Sequence, residues 1–201
     1  MQRCGKLIGK IGFLLLVLTD LSSLTLQAGN EAGSELGAQA TASPVCSFSS
    51  VRALSAENMA FAASGQSGAS IAITEMIDQT SALLKPATIN LAAYAVCNMP
   101  HQLTVASTRG ALLPDNLGAE VQGPFLREIH YRATAHWGAQ TITLLADGAG
   151  VTHSKTQDIA TARKGDLTIE IRVDGSDNDL ATPVMEGQYS DHVRFTFGPQ
   201  P

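Results

Sequence analysis

Chemistry in this 201-residue chain would have to come from a few scattered groups. The tightest acidic run is Asp174-Gly175-Ser176-Asp177-Asn178-Asp179, whose three carboxylates are the oxygen ligands that calcium takes. It lacks the twelve-residue EF-hand spacing, and an acidic turn between two strands accounts for it. His130 and His136 share a parity, but an extended chain advances by more than about 3 Å per residue, so they cannot share one zinc ion without a third ligand. A solvated polar face is the simpler reading. Gly65-Gln66-Ser67-Gly68-Ala69 comes nearest to a nucleophile elbow, yet it fails G-x-S-x-G at its last position and follows no strong strand. Tyr131 and Trp137 offer either a sugar-stacking surface or ordinary core and strand-end aromatics. The expectation is a protein that is not an enzyme, with no catalytic residues, no metal and no cofactor.

Cys46 and Cys97 need a compartment before they can be given a role. Arg3, Lys6 and Lys10 precede the apolar run Ile11 to Leu18, and Leu26-Gln27-Ala28 ends in a small residue, which together read as a secretory signal peptide over residues 1–28. An uncleaved anchor is the competing reading, but the run is interrupted at Asp20, short of the roughly 20 apolar residues that span a bilayer. Cleavage would remove Cys4 with three basic residues and one acidic one, moving the formal charge from -5 to -7 and making nucleic acid an unfavourable partner. Two thiols then remain in an exported chain, where a disulfide is the natural pairing. Catalytic or metal-binding thiols are the alternative, and the pair lies far apart in sequence with no CxxC spacing.

The elements that must position these groups are short strands. Aromatic residues make up only 5% of the chain, so Ala, Val, Ile and Leu must fill its core. Residues 29–44 form a small-residue extension whose Leu36, Ala38, Ala40 and Ala42 alternate with Gly37, Gln39, Thr41 and Ser43. It is either a linker or a strand with a thin apolar face. Alternation then predicts strands around Cys46, Phe48 and Val51, around Met59 and Phe61, and around Ile71, Ile73 and Ile77. It predicts further strands over Ala87 to Cys97, His101 to Ser107, Ile129 to Trp137, Thr141 to Leu145 and Leu167 to Val173. Thr152 to Lys164 reads as an exposed loop or short helix. In the last strong strand Tyr189, Val193, Phe195 and Phe197 share one face and His192, Arg194 and Thr196 the other. Frequent turns between short strands predict an all-β protein, a β-sandwich ahead of a closed barrel.

Several pieces stand in a recognisable order: Val45-Cys46-Ser47-Phe48, Ala95-Val96-Cys97-Asn98, Leu103-Thr104-Val105, Ile129-His130-Tyr131-Arg132 leading to Trp137-Gly138, and Gly187-Gln188-Tyr189-Ser190-Asp191-His192-Val193. In this order, from Pro44 to Pro199, the chain resembles the spore coat protein U-like domain of archaic chaperone-usher pilus subunits. The resemblance implies an immunoglobulin-like sandwich over residues 45–201 that lacks its last strand. It implies secretion through the periplasm to the cell surface, with a periplasmic chaperone, an outer-membrane usher and like or related pilin subunits as partners. Residues 29–44 then become a donor strand with Leu36, Ala38, Ala40 and Ala42 entering a neighbour's groove, whose wall is Tyr189, Val193, Phe195 and Phe197. Cys46 and Cys97 match the family's first disulfide by position. A self-contained periplasmic or extracellular, adhesin-like binding domain with a complete sandwich is the alternative.

Overall fold

Strand follows strand because apolar side chains recur at every second position, which puts them on one face of a pleated chain. The computed structural model describes residues 39–65, 68–115, 123–148 and 153–200. These contain thirteen strands and, among the described residues, no helix. They are β1 (Cys46–Phe48), β2 (Arg52–Glu57), β3 (Met59–Ser64), β4 (Gly68–Ile73), β5 (Ala87–Cys97), β6 (His101–Ser107), β7 (Leu113–Pro114), β8 (Tyr131–Trp137), β9 (Gln140–Ala146), β10 (His153–Ile159), β11 (Arg163–Val173), β12 (Tyr189–Ser190) and β13 (Val193–Pro199). The proposed signal peptide and residues 29–38 lie outside the described residues.

The strands form an all-β sandwich. Its larger sheet runs β1-β5-β11-β8-β9, with β2 also paired to β5, and the smaller runs β10-β6-β13; every ladder in both is antiparallel. In the larger sheet Ile169 lies between Leu91 and Ala135, and in the smaller Val105 lies between Lys155 and Phe195. Odd-numbered residues of β5, β6, β8 and β11 face inward. Ile89, Leu91, Leu103, Val105, Tyr131, Trp137, Leu167 and Ile169 make one core with the even-numbered Ile142 and Leu144 of β9. Alanines at 93, 95, 133 and 135 keep that layer thin, and Trp137 supplies its largest fully buried side chain.

Two sequence expectations need correction. Thr152 to Lys164 is neither loop nor helix: β10 occupies His153–Ile159, and β11 begins at Arg163. β10 pairs with β6 and buries only Ile159 fully, so it carries little apolar alternation to read. Val51, Ile77 and Ile129 stand outside their expected strands; Ile77 bridges Leu84, and Ile129 bridges Leu112. Of the two readings of Tyr131 and Trp137, the core one holds: they are 2% and 0% exposed and do not form a surface for stacking sugars.

Candidate functional site

β13 is one edge of the smaller sheet, as β10 is the other. Among the described strands β13 pairs with β6 alone. The Thr108 N–H donates to the His192 carbonyl (3.0 Å), and the register places Arg194 opposite Ala106 and Thr196 opposite Thr104. In an antiparallel ladder hydrogen-bonded pairs alternate with non-bonded ones, so the even-numbered residues of β13 bond to β6. Val193, Phe195 and Phe197 therefore turn both N–H and C=O toward the open side. Their side chains pack on the core while Arg194 and Thr196 are exposed. The residues that would anchor a new strand's side chains thus also offer its hydrogen bonds.

Beside this edge runs a groove of about 1190 Å³. Tyr189, Val193 and Phe195 line one side; Phe48 and Val51 line it from the opposite edge; Leu91, Leu167 and Ile169 form its floor. Met59, Ile71 and Ile73 of the β3-β4 hairpin border it as well. Phe197 does not line the groove. It packs edge-on to Phe48 (centroids 6.0 Å apart), against Trp137 (5.4 Å) and against His101 (5.5 Å), closing that end with aromatic rings. Indole only donates, so the Trp137 Nε1–H donates to His101 Nε2 (2.9 Å), and the imidazole carries its proton on Nδ1 toward the Met99 carbonyl (2.9 Å).

A polar node fixes the start of β13. The Asp191 Oδ2 accepts from the Ser107 hydroxyl (2.5 Å) and the Tyr131 hydroxyl (2.7 Å), and its Oδ1 accepts from the backbone N–H of Arg109 (2.8 Å) and His192 (2.6 Å). Burial pushes the Tyr131 phenol far above its ordinary pKa, and the neighbouring Asp191 adds to the shift. Arg109 donates to the Ser190 hydroxyl (2.8 Å) and Asp115 (2.9 Å). The Ser190 hydroxyl and then Arg109 hold the Asp115 carboxyl below the usual range. The node separates β12 from β13, which the apolar alternation alone had run together. Asp191 shares the inward parity of Tyr189 and Val193, and an acid on that parity was the signal for it.

The remaining candidates separate. Cys46 and Cys97 are bonded to each other across β1 and β5, with Cα atoms 4.2 Å apart. Both sulfurs lie within 4.8 Å of a ring nitrogen of His101, but the S–S bond takes up the thiolates a metal would need. The acidic run is a turn with internal partners. Asp174 accepts from the Ser176 hydroxyl (2.6 Å) and pairs with Arg172, Asp177 accepts two bonds from Arg132 (2.7 and 2.6 Å), and Asp179 accepts from the Thr182 hydroxyl (2.6 Å). His130 contacts the Asp177 carbonyl and His136 the Thr141 hydroxyl, so the histidines do not converge. Gly65 turns the β3-β4 hairpin, with Gln66 and Ser67 outside the described residues. On the donor face Ala40 and Ala42 are exposed and belong to no strand, while Leu36 and Ala38 lie outside the described residues.

An unpaired strand edge beside a cavity lined by both apolar and polar side chains is the kind of arrangement that strand addition uses. The chain matches no protein-family model, no curated protein and no solved structure.

Proposed function

We propose that this protein is a secreted, non-enzymatic structural subunit of a surface fibre or coat, assembled by strand donation along a chaperone-usher route. The observation that carries the reading is the unpaired outer edge of β13 beside a groove that opens onto the core. The strand order supports an immunoglobulin-like description. β1 and β2, then β5, β11 and β8 follow the A-B-E-D order of such sandwiches, and β6 with β13 follow C and F, which leaves the position beside β13 for a donated last strand. β13 is seven residues long, and the alternating run from Leu36 to Ala42 has the same length.

A periplasmic chaperone would hold this edge until the extension of another subunit replaced it. The mature chain, residues 29–201, is then expected to self-associate in the absence of a chaperone. Deleting residues 29–43 is expected to abolish ordered polymers, and an added peptide spanning Gly29 to Pro44 to restore a stable, complemented monomer. A chain that stays monomeric and cooperative with or without those residues would instead be a self-contained binding domain. Analytical ultracentrifugation of the three samples separates the two outcomes.

A further inference from the structure

The floor of the groove is more sheltered than an empty strand position should leave it. Leu91, Leu167 and Ile169 are 4%, 1% and 4% exposed, although among the described residues no strand pairs with β13 on the side away from β6. Side chains of the facing β6 and β13 cover part of them, and one further element borders the same groove. The element in place is the β3-β4 hairpin, which belongs to neither main sheet. Its Phe61, Ile71 and Ile73 pack against the core cluster that contains these floor residues, and Ile71 and Ile73 line the cavity above them.

The hairpin is built to be held at one end only. At its base Asn58 adopts a left-handed backbone (φ 54°), a conformation asparagine tolerates better than most residues. The Asn58 side-chain amide donates to the carbonyls of Glu75 (2.8 Å) and Pro86 (3.1 Å), and its oxygen accepts from the Thr74 hydroxyl (2.9 Å) and the Glu75 N–H (2.8 Å). Beyond that clasp the two strands bond to each other, and their outward faces carry only alanine, serine and glycine. A lone two-stranded ribbon is marginally stable in water, so what keeps it down is the apolar contact of its inner face.

We propose that the β3-β4 hairpin is a displaceable cover of the groove, lying over it until an incoming strand lifts it about the Asn58 clasp. This rests on reading the groove as a strand acceptor. A cover of this kind lowers apparent affinity by the fraction of molecules that are closed, and removing it speeds entry.

The test uses two variants of a chain lacking the extension, residues 44–201. In one, residues 60–72 are replaced by Asn-Gly, joining the cross-strand partners Met59 and Ile73 and leaving Asn58 intact. In the other, the full hairpin carries Phe61→Ser and Ile71→Ser. Without peptide, both are expected to raise the fluorescence of an apolar-surface dye several-fold over the parent. With the Gly29 to Pro44 peptide, both are expected to associate at least tenfold faster and to dissociate at an unchanged rate. No rise in dye fluorescence overturns the cover. Faster dissociation with unchanged association also overturns it, because the hairpin would then belong to the bound state. A rise in dye fluorescence without peptide binding to any of the three proteins keeps the cover and removes the acceptor reading.

Discussion

Backbone methylation of the donor peptide tests the open edge at single hydrogen bonds. If a peptide spanning Gly29 to Pro44 lies antiparallel beside β13, like every ladder in the sandwich, its inward side chains sit opposite Val193, Phe195 and Phe197. Those three β13 residues turn their polar groups outward, so the bonding amides of the peptide belong to its own inward residues, Ala38 and Ala40 among them. The amides of Gly37 and Gln39 point to solvent. N-methylating Ala38 and Ala40 removes two bonds of about 1 kcal/mol each, or about 30-fold in Kd, whereas N-methylating Gly37 and Gln39 has little effect. Isothermal titration of the chain lacking its extension gives both numbers. Equal losses from the two peptides would refute the alignment. A loss confined to the Gly37 and Gln39 peptide would refute the antiparallel direction, because a parallel ladder takes its bonds from the alternate residues.

Three further outcomes follow from the core and the surface. Substituting His101→Phe leaves the buried Trp137 Nε1–H without its acceptor and lowers stability by about 1–3 kcal/mol, measured by urea unfolding followed through tryptophan emission. Breaking the Cys46–Cys97 bond, which spans 51 residues, costs about 4 kcal/mol on the chain-entropy argument, and reduction should match Cys46→Ala/Cys97→Ala in the same assay. Asp174, chiefly through the Ser176 hydroxyl, and Asp177, chiefly through Arg132, are held below the usual carboxylate range. Depressed folded values give stability that is complete above the unfolded value of about 4 and is lost as pH falls through the folded values. Tm should therefore be level above about pH 5 and fall in stronger acid, with a shallower fall in Arg132→Gln.

The parts of the fold that alternation revealed are those buried on one face. β5, β6, β8 and β11 carry buried residues at every second position for most of their length, and each is readable as a strand from its apolar residues alone. β2 and β10 were illegible for a common reason. Both lie at sheet edges, β2 with every side chain exposed and β10 with four of its seven, so their strand state comes from backbone pairing with β5 and β6 rather than from any apolar face. The wall of the groove was legible at Tyr189, Val193 and Phe195, whose parity marks an inward face. Phe197 has the same parity, yet its ring is held by Phe48, Trp137 and His101, partners brought together only by the tertiary fold. The hairpin's place beside the groove has no local signal either, since it depends on where the Asn58 turn aims the two strands.

The pairing of β13 with β6 also has a consequence in time. Val193 must find Ser107 and Pro199 must find His101, so the smaller sheet closes through contacts between the middle of the chain and its last residues. Such distant pairings fold slowly, and the strands that await them are prone to aggregate. A growing chain that has reached Gly187 already holds every strand of the larger sheet, while β6 still lacks its neighbour on one side. A truncation that removes β13 should impair folding yield more than one of equal length at the exposed residues before Cys46.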